Sequence, residues 1–330
     1  MASDSPGISD AFAATLLGVL RQAWGCPSVE YQRHPQALVG GFETAIFEFQ
    51  LRGAPADRSG PLILRVFREY AGPGKALRES LVQNAVAATG YPAPRVFLTC
   101  HDASLLGGEF NVMEKLPGAV MFSTPLAAQP ETLGQLHAAL HQLDPTTVQQ
   151  TLAAHGIDVT SVSLDGFFNW VARRINAAGY SWLRPGLDWL LAHRPAGGRV
   201  AICHGDFHPF NILMQDGVVS GVLDWSGFRI ADCALDVGAT AVILAIAGPA
   251  LVPGAQAVDF QGFVERYLAA YEAEIPLAPA RLRYFEVLRC IQALLEGAEG
   301  QAAWRTPTIV TQLLTTIRAY TGLEVPRPSY

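Results

Sequence analysis

The sequence lacks the patterns that mark zinc-finger, disulfide-rich or nucleic-acid-binding proteins. Its five cysteines are far apart and form no C-x-x-C pair, which predicts free thiols in a reducing compartment. Only 16% of the residues are charged, the net charge is -6, and no dense run of Lys and Arg occurs. A nucleic-acid partner is therefore not expected, because such proteins carry a basic surface.

The sequence also shows no segment that would direct it into a membrane. Its start, MASDSPGISD, has no basic region followed by an apolar core, so we predict no secretory signal. The longest apolar stretch, VGATAVILAIAGPALVPG, is interrupted by Gly and Pro and is too short for a spanning helix. Since half of the 330 residues are hydrophobic, the chain can bury a large core, and we expect a cytoplasmic protein. No pattern specifies its oligomeric state.

The hydrophobic period changes along the chain from mostly strand-like to mostly helical. Early strands are predicted at 45 to 52, 61 to 68, RVFLTC and EFNVMEK, with one helix from Lys75 to about Ala88. Later helices are predicted at 130 to 143, 165 to 179, 232 to 247, 259 to 273, 280 to 296 and 308 to 320. This order predicts an α+β protein with a small antiparallel-sheet lobe, residues 1 to 115, and a larger helical lobe, residues 116 to 330.

The polar stretch HGDFHPFN, residues 204 to 211, precedes a predicted β-hairpin. Asp216-Gly217 suits the two positive-φ positions of a type I′ turn between NILM and VVSGVLDW. Strand alternation then places the Asn211 amide roughly 7 Å from the Asp224 carboxylate. Such oxygen ligands favour Mg²⁺, and Asp206, five residues before Asn211, could accept a proton from a hydroxyl group nearby. Phosphoryl transfer needs this combination of groups.

HGDFHPFN followed by VLDW resembles the catalytic loop and metal-binding segment of the aminoglycoside phosphotransferase and choline kinase-like family. The family motif is H-G-D-x-x-x-x-N, with an Asp after a short hairpin. The resemblance implies a two-lobed protein kinase-like fold, with Asp206 as catalytic base and with Asn211 and Asp224 holding Mg²⁺. It also implies ATP or GTP as phosphate donor and a small-molecule hydroxyl as acceptor. His204 and His208 would support the catalytic loop.

Three more segments resemble the nucleotide site of this family. LVGGFETAIFEF resembles the turn over the phosphates, LILRV the strand that carries the phosphate-contacting cation, and NVMEKLPG the inter-lobe linker, whose backbone binds the adenine edge. A glutamate on the helix after LILRV resembles the ion-pair partner of that cation. The nucleotide-binding residues implied in this way are Gly40, Gly41, Arg65, Glu79, Glu114 and Leu116.

The main departure from the family is Arg65, at a strand position where the family has Lys. Arginine keeps the charge and can contact phosphate or Glu79 through two nitrogens, but its bulk and geometry differ from those of an ammonium group. Glu79 could instead pair with Lys75 on the helix surface. We adopt the ion pair between Glu79 and Arg65.

Two other functions remain open from the sequence. The pattern His204-x-Asp206-x-His208 also imitates the ligands of a metallohydrolase. Such a site would need further histidines from among His101, His137, His141 and His193. Arg65 favours a different alternative, a kinase-like protein that binds nucleotide or metabolite without catalysis.

The acceptor is not specified by the sequence. By resemblance, its pocket would be built from residues 160 to 195 and 255 to 300, where many Ala, Leu and Val residues favour an apolar acceptor. Four glutamates there could attract a cation or form solvated helix faces, namely Glu265, Glu272, Glu286 and Glu296. Trp225 is either a core residue or part of the substrate side of the cleft. DCALDVG resembles the family's stretch after the metal aspartate, which implies a structural role for Asp236. Asp232 and Asp236 also flank a predicted helix start and are candidates for helix caps.

Overall fold

The computed structural model divides the chain into two compact units. It describes residues 9–38, 44–67, 74–124, 128–177, 179–251 and 258–328. The first unit comprises Met1–Ala119 and Leu213–Ser226, and the second comprises Val120–Ile212 and Gly227–Tyr330. The division differs from the single boundary near residue 115 predicted from the sequence, because the segment 213–226 groups with the N-terminal unit.

In chain order, the described residues form the following helices and strands. The first part of the chain contains α1 Asp10–Trp24, β1 Glu30–Leu38, β2 Thr44–Arg52, β3 Pro61–Phe67, α2 Lys75–Ala87, β4 Val96–Cys100, α3 Ala103–Leu106, β5 Phe110–Glu114 and β6 Ala119–Val120. The middle contains α4 Gln129–Gln142, α5 Pro145–Ala154, α6 Leu164–Asn176, α7 Arg184–Ala192, β7 Val200–Cys203, β8 Ile212–Gln215, β9 Val218–Val222 and β10 Arg229–Asp232. The last part contains α8 Cys233–Val242, α9 Gly248–Leu251, α10 Phe260–Glu272, α11 Pro279–Ala298 and α12 Pro307–Thr321.

The first unit is built on a five-stranded antiparallel sheet in the order β1-β2-β3-β5-β4. The strands predicted over β2, β3, β4 and β5 and the helix predicted over α2 are confirmed. Along β3 the apolar Leu62, Leu64 and Val66 are buried in one cluster with Leu16 of α1. Because side chains alternate along a strand, Arg65 projects from the opposite face of the sheet. One face of the sheet is therefore apolar, and the other face carries the buried charge of Arg65.

The sequence-based prediction missed α1 and β1. The helix begins after Ser9, whose Oγ accepts a hydrogen bond from the Phe12 N–H at 3.1 Å, and it ends before Gly25 at φ 62°. These are ordinary helix start and stop signals. The prediction missed both elements because the hydrophobic pattern after residue 44 is strand-like and was extended to the whole N-terminal third.

The hairpin β8–β9 closes with the predicted turn, since Asp216 and Gly217 have φ values of 51° and 80°. It is tied to the N-terminal segment by hydrogen bonds from the Val222 N–H to the Pro92 carbonyl (2.6 Å) and from Ser220 Oγ to the Pro117 carbonyl (2.5 Å). A Cβ atom at Gly118 would lie 2.4 Å from the Met214 carbonyl oxygen, so only glycine fits this close approach. These contacts explain why the hairpin belongs to the first unit.

The second unit is mainly helical, with its core around α11. Arg281 near the start of α11 pairs with Asp232 at the start of α8, and further along, Gly238 of α8 lies against Phe285 of α11. The two helices therefore run parallel. A two-stranded antiparallel sheet of β7 and β10 leads into the functional loop. The six predicted helices correspond to α4, α6, α8, α10, α11 and α12, while α5, α7 and β10 were not predicted.

The segment Cys233–Ala250 has the length and composition of a membrane-spanning helix, in contrast to the sequence-based expectation. It comprises α8, a π-helical turn at Ile243–Ala247 and the start of α9. Two thirds of this segment, 67%, is buried inside the fold. Such burial is typical of a core helix.

Candidate active site

The loop after β7 carries the H-G-D motif. Gly205 has φ 86°, and a Cβ atom there would lie 2.2 Å from the Gly227 carbonyl oxygen. A side chain would therefore clash with the backbone and strain the left-handed conformation. His204 is fully buried, and its Nδ1 accepts a hydrogen bond from the Asp206 N–H at 3.3 Å. His204 thus shapes the loop from inside the core, as a supporting residue would.

Asp206 is held in place by two neighbours on the same loop. Asn211 Nδ2 donates to the Asp206 backbone carbonyl at 2.9 Å and to its carboxylate at 3.1 Å, and His208 Nε2 lies 3.3 Å from the same carboxylate oxygen. Burial acts to raise the pKa of Asp206, but the charge of His208 and its hydrogen bond outweigh it. With smaller contributions from His204 and Arg289, the pKa falls to about 2. The side chain is still 45% exposed, so an ionised carboxylate faces accessible space.

The start of this loop is bound by a buried carboxylate on α8. Asp236 is fully buried, and it accepts the His204 N–H at 2.5 Å and the Gly205 N–H at 2.8 Å. It also lies 3.0 Å from His137 Nε2 and 3.3 Å from His141 Nε2. Asp236 is therefore a brace for the loop, which agrees with the structural role implied by the resemblance, and it is not a helix cap. Asp232 is the N-cap of α8, as expected, since its carboxylate accepts the Ala234 N–H at 3.0 Å.

Two histidines of α4 and two tyrosines of α10 complete this buried network. His137 Nδ1 and His141 Nδ1 each lie 2.8 Å from a hydroxyl, of Tyr267 and Tyr271 respectively. Burial lowers the pKa of His137 to about 4, while His137 and His141 hold the pKa of Asp236 well below its usual range despite its burial. Because an ionised carboxylate only accepts hydrogen bonds, each Nε2 that faces Asp236 carries a proton. His137 is neutral at its lowered pKa, so its Nδ1 accepts from the Tyr267 hydroxyl.

The same network answers the metallohydrolase hypothesis. His137, His141 and Asp236 offer three ligating atoms within 4.8 Å of one another, but all three residues already form a closed set of hydrogen bonds. Within the described ranges this is the one such cluster, and it does not include Asp206. His193, another candidate ligand, instead bonds to the Trp189 carbonyl on α7. The geometry therefore assigns these histidines to structure.

In the first unit, Arg65 forms the predicted ion pair with Glu79 of α2. The Arg65 Nη2 also lies 3.3 Å from Asp224 Oδ1. Arg65 and Glu79 are buried, whereas the Asp224 side chain is 42% exposed. Burial raises the pKa of Glu79 to about 7, against the opposing charge of Arg65. Glu79 Oε2 and Arg65 Nε are buried without a hydrogen-bond partner, so the pair is incompletely satisfied.

The two residues predicted to bind Mg²⁺ both offer oxygen atoms. Asp224 adopts φ 63°, a left-handed conformation that Asp tolerates better than most residues, and its Oδ1 accepts the Ser226 N–H at 3.4 Å. Asn211 uses its Nδ2 for Asp206, which leaves its Oδ1 as the side-chain acceptor. Carboxylate and amide oxygens are each of the type that Mg²⁺ prefers in proteins.

The predicted linker follows β5. The Glu114 N–H donates to the Arg95 carbonyl at 3.0 Å and its carboxylate accepts the Arg95 N–H at 2.7 Å, while among the described residues the Leu116 N–H has no hydrogen-bond partner. An unbonded backbone N–H at this position fits the predicted contact with adenine. Gly40 and Gly41 lie outside the described residues.

Two other predicted site features are resolved by burial and pairing. Trp225 is fully buried in the first unit, and its Nε1 donates to the Val222 carbonyl at 3.0 Å, so it is a core residue that lines no surface. Glu296 pairs with Arg289 at 3.1 Å, and Glu265 accepts a hydrogen bond from its neighbour Gln261. The charge of Glu296 is therefore compensated, whereas Glu265 is bonded to a neutral amide and keeps its charge.

Comparison with known proteins gives the class of the chain. The model of the phosphotransferase enzyme family (APH) matches residues 38–285, and the chain belongs to this family. Among solved structures, an aminoglycoside phosphotransferase mutant in a ternary complex with AMP-PNP and hygromycin B has a TM-score of 0.57 and 18% identity, over 93% of this chain and 99% of that one. A macrolide 2′-phosphotransferase from Brachybacterium faecium gives 0.55 and 18%, with the same coverage. The kinase-like α+β fold is thus confirmed.

Curated relatives match a shorter region. Acyl-CoA dehydrogenase family member 11 of Mus musculus is 30% identical over 168 residues, which cover 45% of this chain and 20% of that protein. Acyl-CoA dehydrogenase family member 10 of Mus musculus is 28% identical over 176 residues, or 48% of this chain and 16% of that protein. The matched region spans a fifth or less of the length of these two relatives.

Proposed function

We propose that this protein is a Mg²⁺-dependent phosphotransferase that moves the γ-phosphate of ATP or GTP to a hydroxyl group of a small molecule. The observation that carries the proposal is the state of Asp206. Its carboxylate is ionised, partly exposed, and fixed by Asn211 and His208. The loop that presents it belongs to a chain of the phosphotransferase family.

In this mechanism Asp206 orients the acceptor hydroxyl by accepting its hydrogen bond. The hydroxyl oxygen forms a bond to the γ-phosphorus as the bond to the β,γ-bridging oxygen breaks, and the hydroxyl proton passes to Asp206. Because its pKa is about 2, Asp206 is a weak base, so it takes the proton late, when the oxygen has become acidic. Asn211 and Asp224 would hold Mg²⁺, which neutralises phosphate charge, and Arg65 would contact the phosphates.

Replacing the base tests the proposal most directly. Asp206→Asn should lower kcat by about 10²- to 10⁴-fold, because general-base catalysis contributes this much, and should leave nucleotide binding intact. The rate of ADP release, measured with an acceptor that the parent protein phosphorylates, gives kcat. The shift in melting temperature with nucleotide and Mg²⁺ reports nucleotide binding. Asp188→Asn is a matched control, since Asp188 lies in the same unit and pairs only with exposed Arg184. Activity of Asp206→Asn within ten-fold of the parent would show that the base is misassigned.

One observation favours a second function, a nucleotide-binding protein without catalysis. Arg65 replaces the family's lysine and contacts Asp224, so it already neutralises part of the charge that a metal ion would need. A thermal-shift titration with ATP, GTP and ADP, each with and without Mg²⁺, separates the two functions. A magnesium-dependent shift with ADP release supports the phosphotransferase, and a shift without release from any acceptor supports the binding protein.

For the acceptor we propose a hydroxylated acyl thioester of coenzyme A. The two mouse relatives are named acyl-CoA dehydrogenases, and each contains a region similar to this chain. A phosphotransferase region within the same polypeptide favours a related acyl-CoA compound as its substrate. ADP release should be compared with hydroxybutyryl-CoA, hygromycin B and a macrolide as acceptors. Turnover of either antibiotic without turnover of the thioester would contradict this assignment.

A further inference from the structure

Arg289 of α11 is brought to the catalytic loop by the packing of two helices. Thr240 of α8 donates from its Oγ1 to the Phe207 carbonyl at 2.8 Å, which fixes α8 against the loop. A Cβ atom at Gly238 would lie 3.1 Å from the carbonyl carbon of Phe285, so α11 is in close contact with the same part of α8. Arg289 follows Phe285 by one helical turn, about 6 Å further along the parallel helix. Measured along the axes of these two parallel helices, Arg289 and Thr240 therefore lie at similar positions.

The guanidinium of Arg289 is held rigidly. Its side chain is only 8% exposed, Nη1 donates to Glu296 Oε2 at 3.1 Å, and the group lies 4.6 Å above the Trp304 ring. Gln292 fixes the other Glu296 oxygen at 2.7 Å. A cation fixed in this way loses little side-chain freedom when it binds a ligand.

Part of this guanidinium remains available for a ligand. Among the described residues, Nε and Nη2 of Arg289 donate to no protein group. Neither nitrogen is completely buried without a hydrogen-bond partner. In contrast, the Nε of Arg65 in the first unit is sequestered. These two nitrogens form one edge of the planar guanidinium, and such an edge matches the geometry of a carboxylate or phosphate.

The charge on this face of α11 also bears on the choice of acceptor. Glu296 would otherwise give this face of α11 a negative charge, but its ion pair with Arg289 cancels that charge. The ion pair therefore adds no net negative charge that would attract a polycationic acceptor.

We propose that Arg289 binds an anionic group, carboxylate or phosphate, of the acceptor and thereby selects anionic over cationic acceptors. This inference rests on the proposed phosphotransferase function. It assigns specificity to a residue outside the catalytic motif.

The test uses three acceptors that share one hydroxyacyl group: hydroxybutyryl-CoA, hydroxybutyryl-pantetheine without phosphates, and free hydroxybutyrate. Arg289→Met should raise KM for an anionic acceptor by about ten- to a hundred-fold, because a hydrogen bond to a charged group is lost, with kcat changed less. KM for the neutral pantetheine ester should stay within about two-fold. A selective effect on hydroxybutyryl-CoA identifies phosphate as the bound group, and one on hydroxybutyrate identifies carboxylate.

Controls separate specificity from folding. Arg289→Met leaves Glu296 unpaired, so the double variant Arg289→Gln with Glu296→Gln should show the same KM pattern without an uncompensated buried charge. Arg289→Lys should recover part of the affinity. Arg266→Met removes an exposed arginine paired with Glu131 on a neighbouring helix and should leave KM unchanged. Equal KM increases for charged and neutral acceptors, or a changed pH–rate profile with unchanged KM, would overturn the proposal.

Failure of the phosphotransferase proposal would give a different result. If the parent protein releases no ADP with any acceptor, calorimetric titration with hydroxybutyryl-CoA and hydroxybutyrate still measures binding. Loss of that binding in Arg289→Met supports the subsite, and equal binding by both proteins, or none by the parent, overturns it.

Discussion

Two buried carboxylates, one in each unit, are held in opposite ways. Asp236 has four hydrogen-bond donors, from two backbone N–H groups and two histidines. Glu79 pairs through one oxygen with Arg65, while its other oxygen has no partner. A fully satisfied anion costs nothing further to keep buried, whereas a partly satisfied one is ready to exchange partners. The comparison identifies Asp236 as fixed architecture and the Arg65 ion pair as the place where, under the proposed function, phosphate and Mg²⁺ would alter the pairing.

The largest expected effect is on the fixed carboxylate. Asp236→Asn replaces an acceptor by a group with its own N–H donors, which face the donors already present. Removing one partner of a buried charge network costs about 3 to 5 kcal/mol, so the free energy of unfolding in urea should fall by this amount. Asp188→Asn, with an exposed ion pair, should change it by less than about 0.5 kcal/mol. A loss below about 1 kcal/mol for Asp236→Asn would mean that the brace is not rigid.

The pH dependence of stability tests the histidine side of the same network. His137 has its pKa lowered from 6.5 to about 4, so the unfolded chain takes up a proton at a higher pH than the folded one. Stability from this group is present above pH 6.5 and is lost as the pH falls to about 4. A difference of this size corresponds to about 3 kcal/mol. Urea unfolding between pH 7 and pH 4 measures the loss.

His137→Gln is the matched variant for this pH experiment. It lowers stability at pH 7 but should remove most of the decline between pH 6.5 and 4, because glutamine does not titrate. An unchanged decline in the variant would assign the pH dependence to other groups.

A smaller effect is expected for the incompletely satisfied carboxylate. Since burial raises the pKa of Glu79 to about 7, the neutral carboxyl is already populated at neutral pH, and Glu79→Gln imitates that form. Arg65 also keeps its contact with Asp224. The unfolding free energy should therefore fall by only about 1 kcal/mol, while the thermal shift with ATP and Mg²⁺ should decrease. A loss of 3 kcal/mol or more would show that both carboxylates are structural.

The smallest effect is expected for the two tyrosines that bond to the histidines around Asp236. Tyr271→Phe removes the hydroxyl that meets His141 Nδ1 at 2.8 Å, without changing any charge. A single lost hydrogen bond should lower the free energy of unfolding by about 1 kcal/mol. Tyr267→Phe, the equivalent change at His137, should give a similar value, and a much larger loss in only one of them would show that the two histidines are not equivalent.

The sequence predicted the local parts of this site well. Asp206, Asn211 and the Asp216-Gly217 turn lie within a few residues of one another, so the motif and turn chemistry contain enough information to place them. The resemblance added the Arg65 and Glu79 pair, which joins neighbouring elements. Local patterns are interpretable because their contacts follow from backbone geometry.

The brace could not be predicted in the same way. His137 lies 99 residues from Asp236 and 130 residues from Tyr267, and their contacts depend on how α4, α8 and α10 pack. His137 and His141 are four residues apart on one face of α4, which was a usable signal. They were considered only as further ligands of the alternative metallohydrolase site, because spacing alone does not distinguish a ligand pair from a core pair. The role proposed for Arg289 likewise depends on the packing of α8 and α11, which local patterns do not show.

The placement of the hairpin also affects the order in which the chain can fold during synthesis. The first unit contains Leu213–Ser226, and the ribosome must first translate Val120–Ile212 before it reaches this segment. At roughly 5 to 20 residues per second, the intervening stretch takes about 5 to 20 s. During that interval Pro92 and Pro117 lack the hairpin partners that bond to them in the finished protein. The N-terminal unit therefore completes its fold only after nearly half of the second, larger unit has been translated.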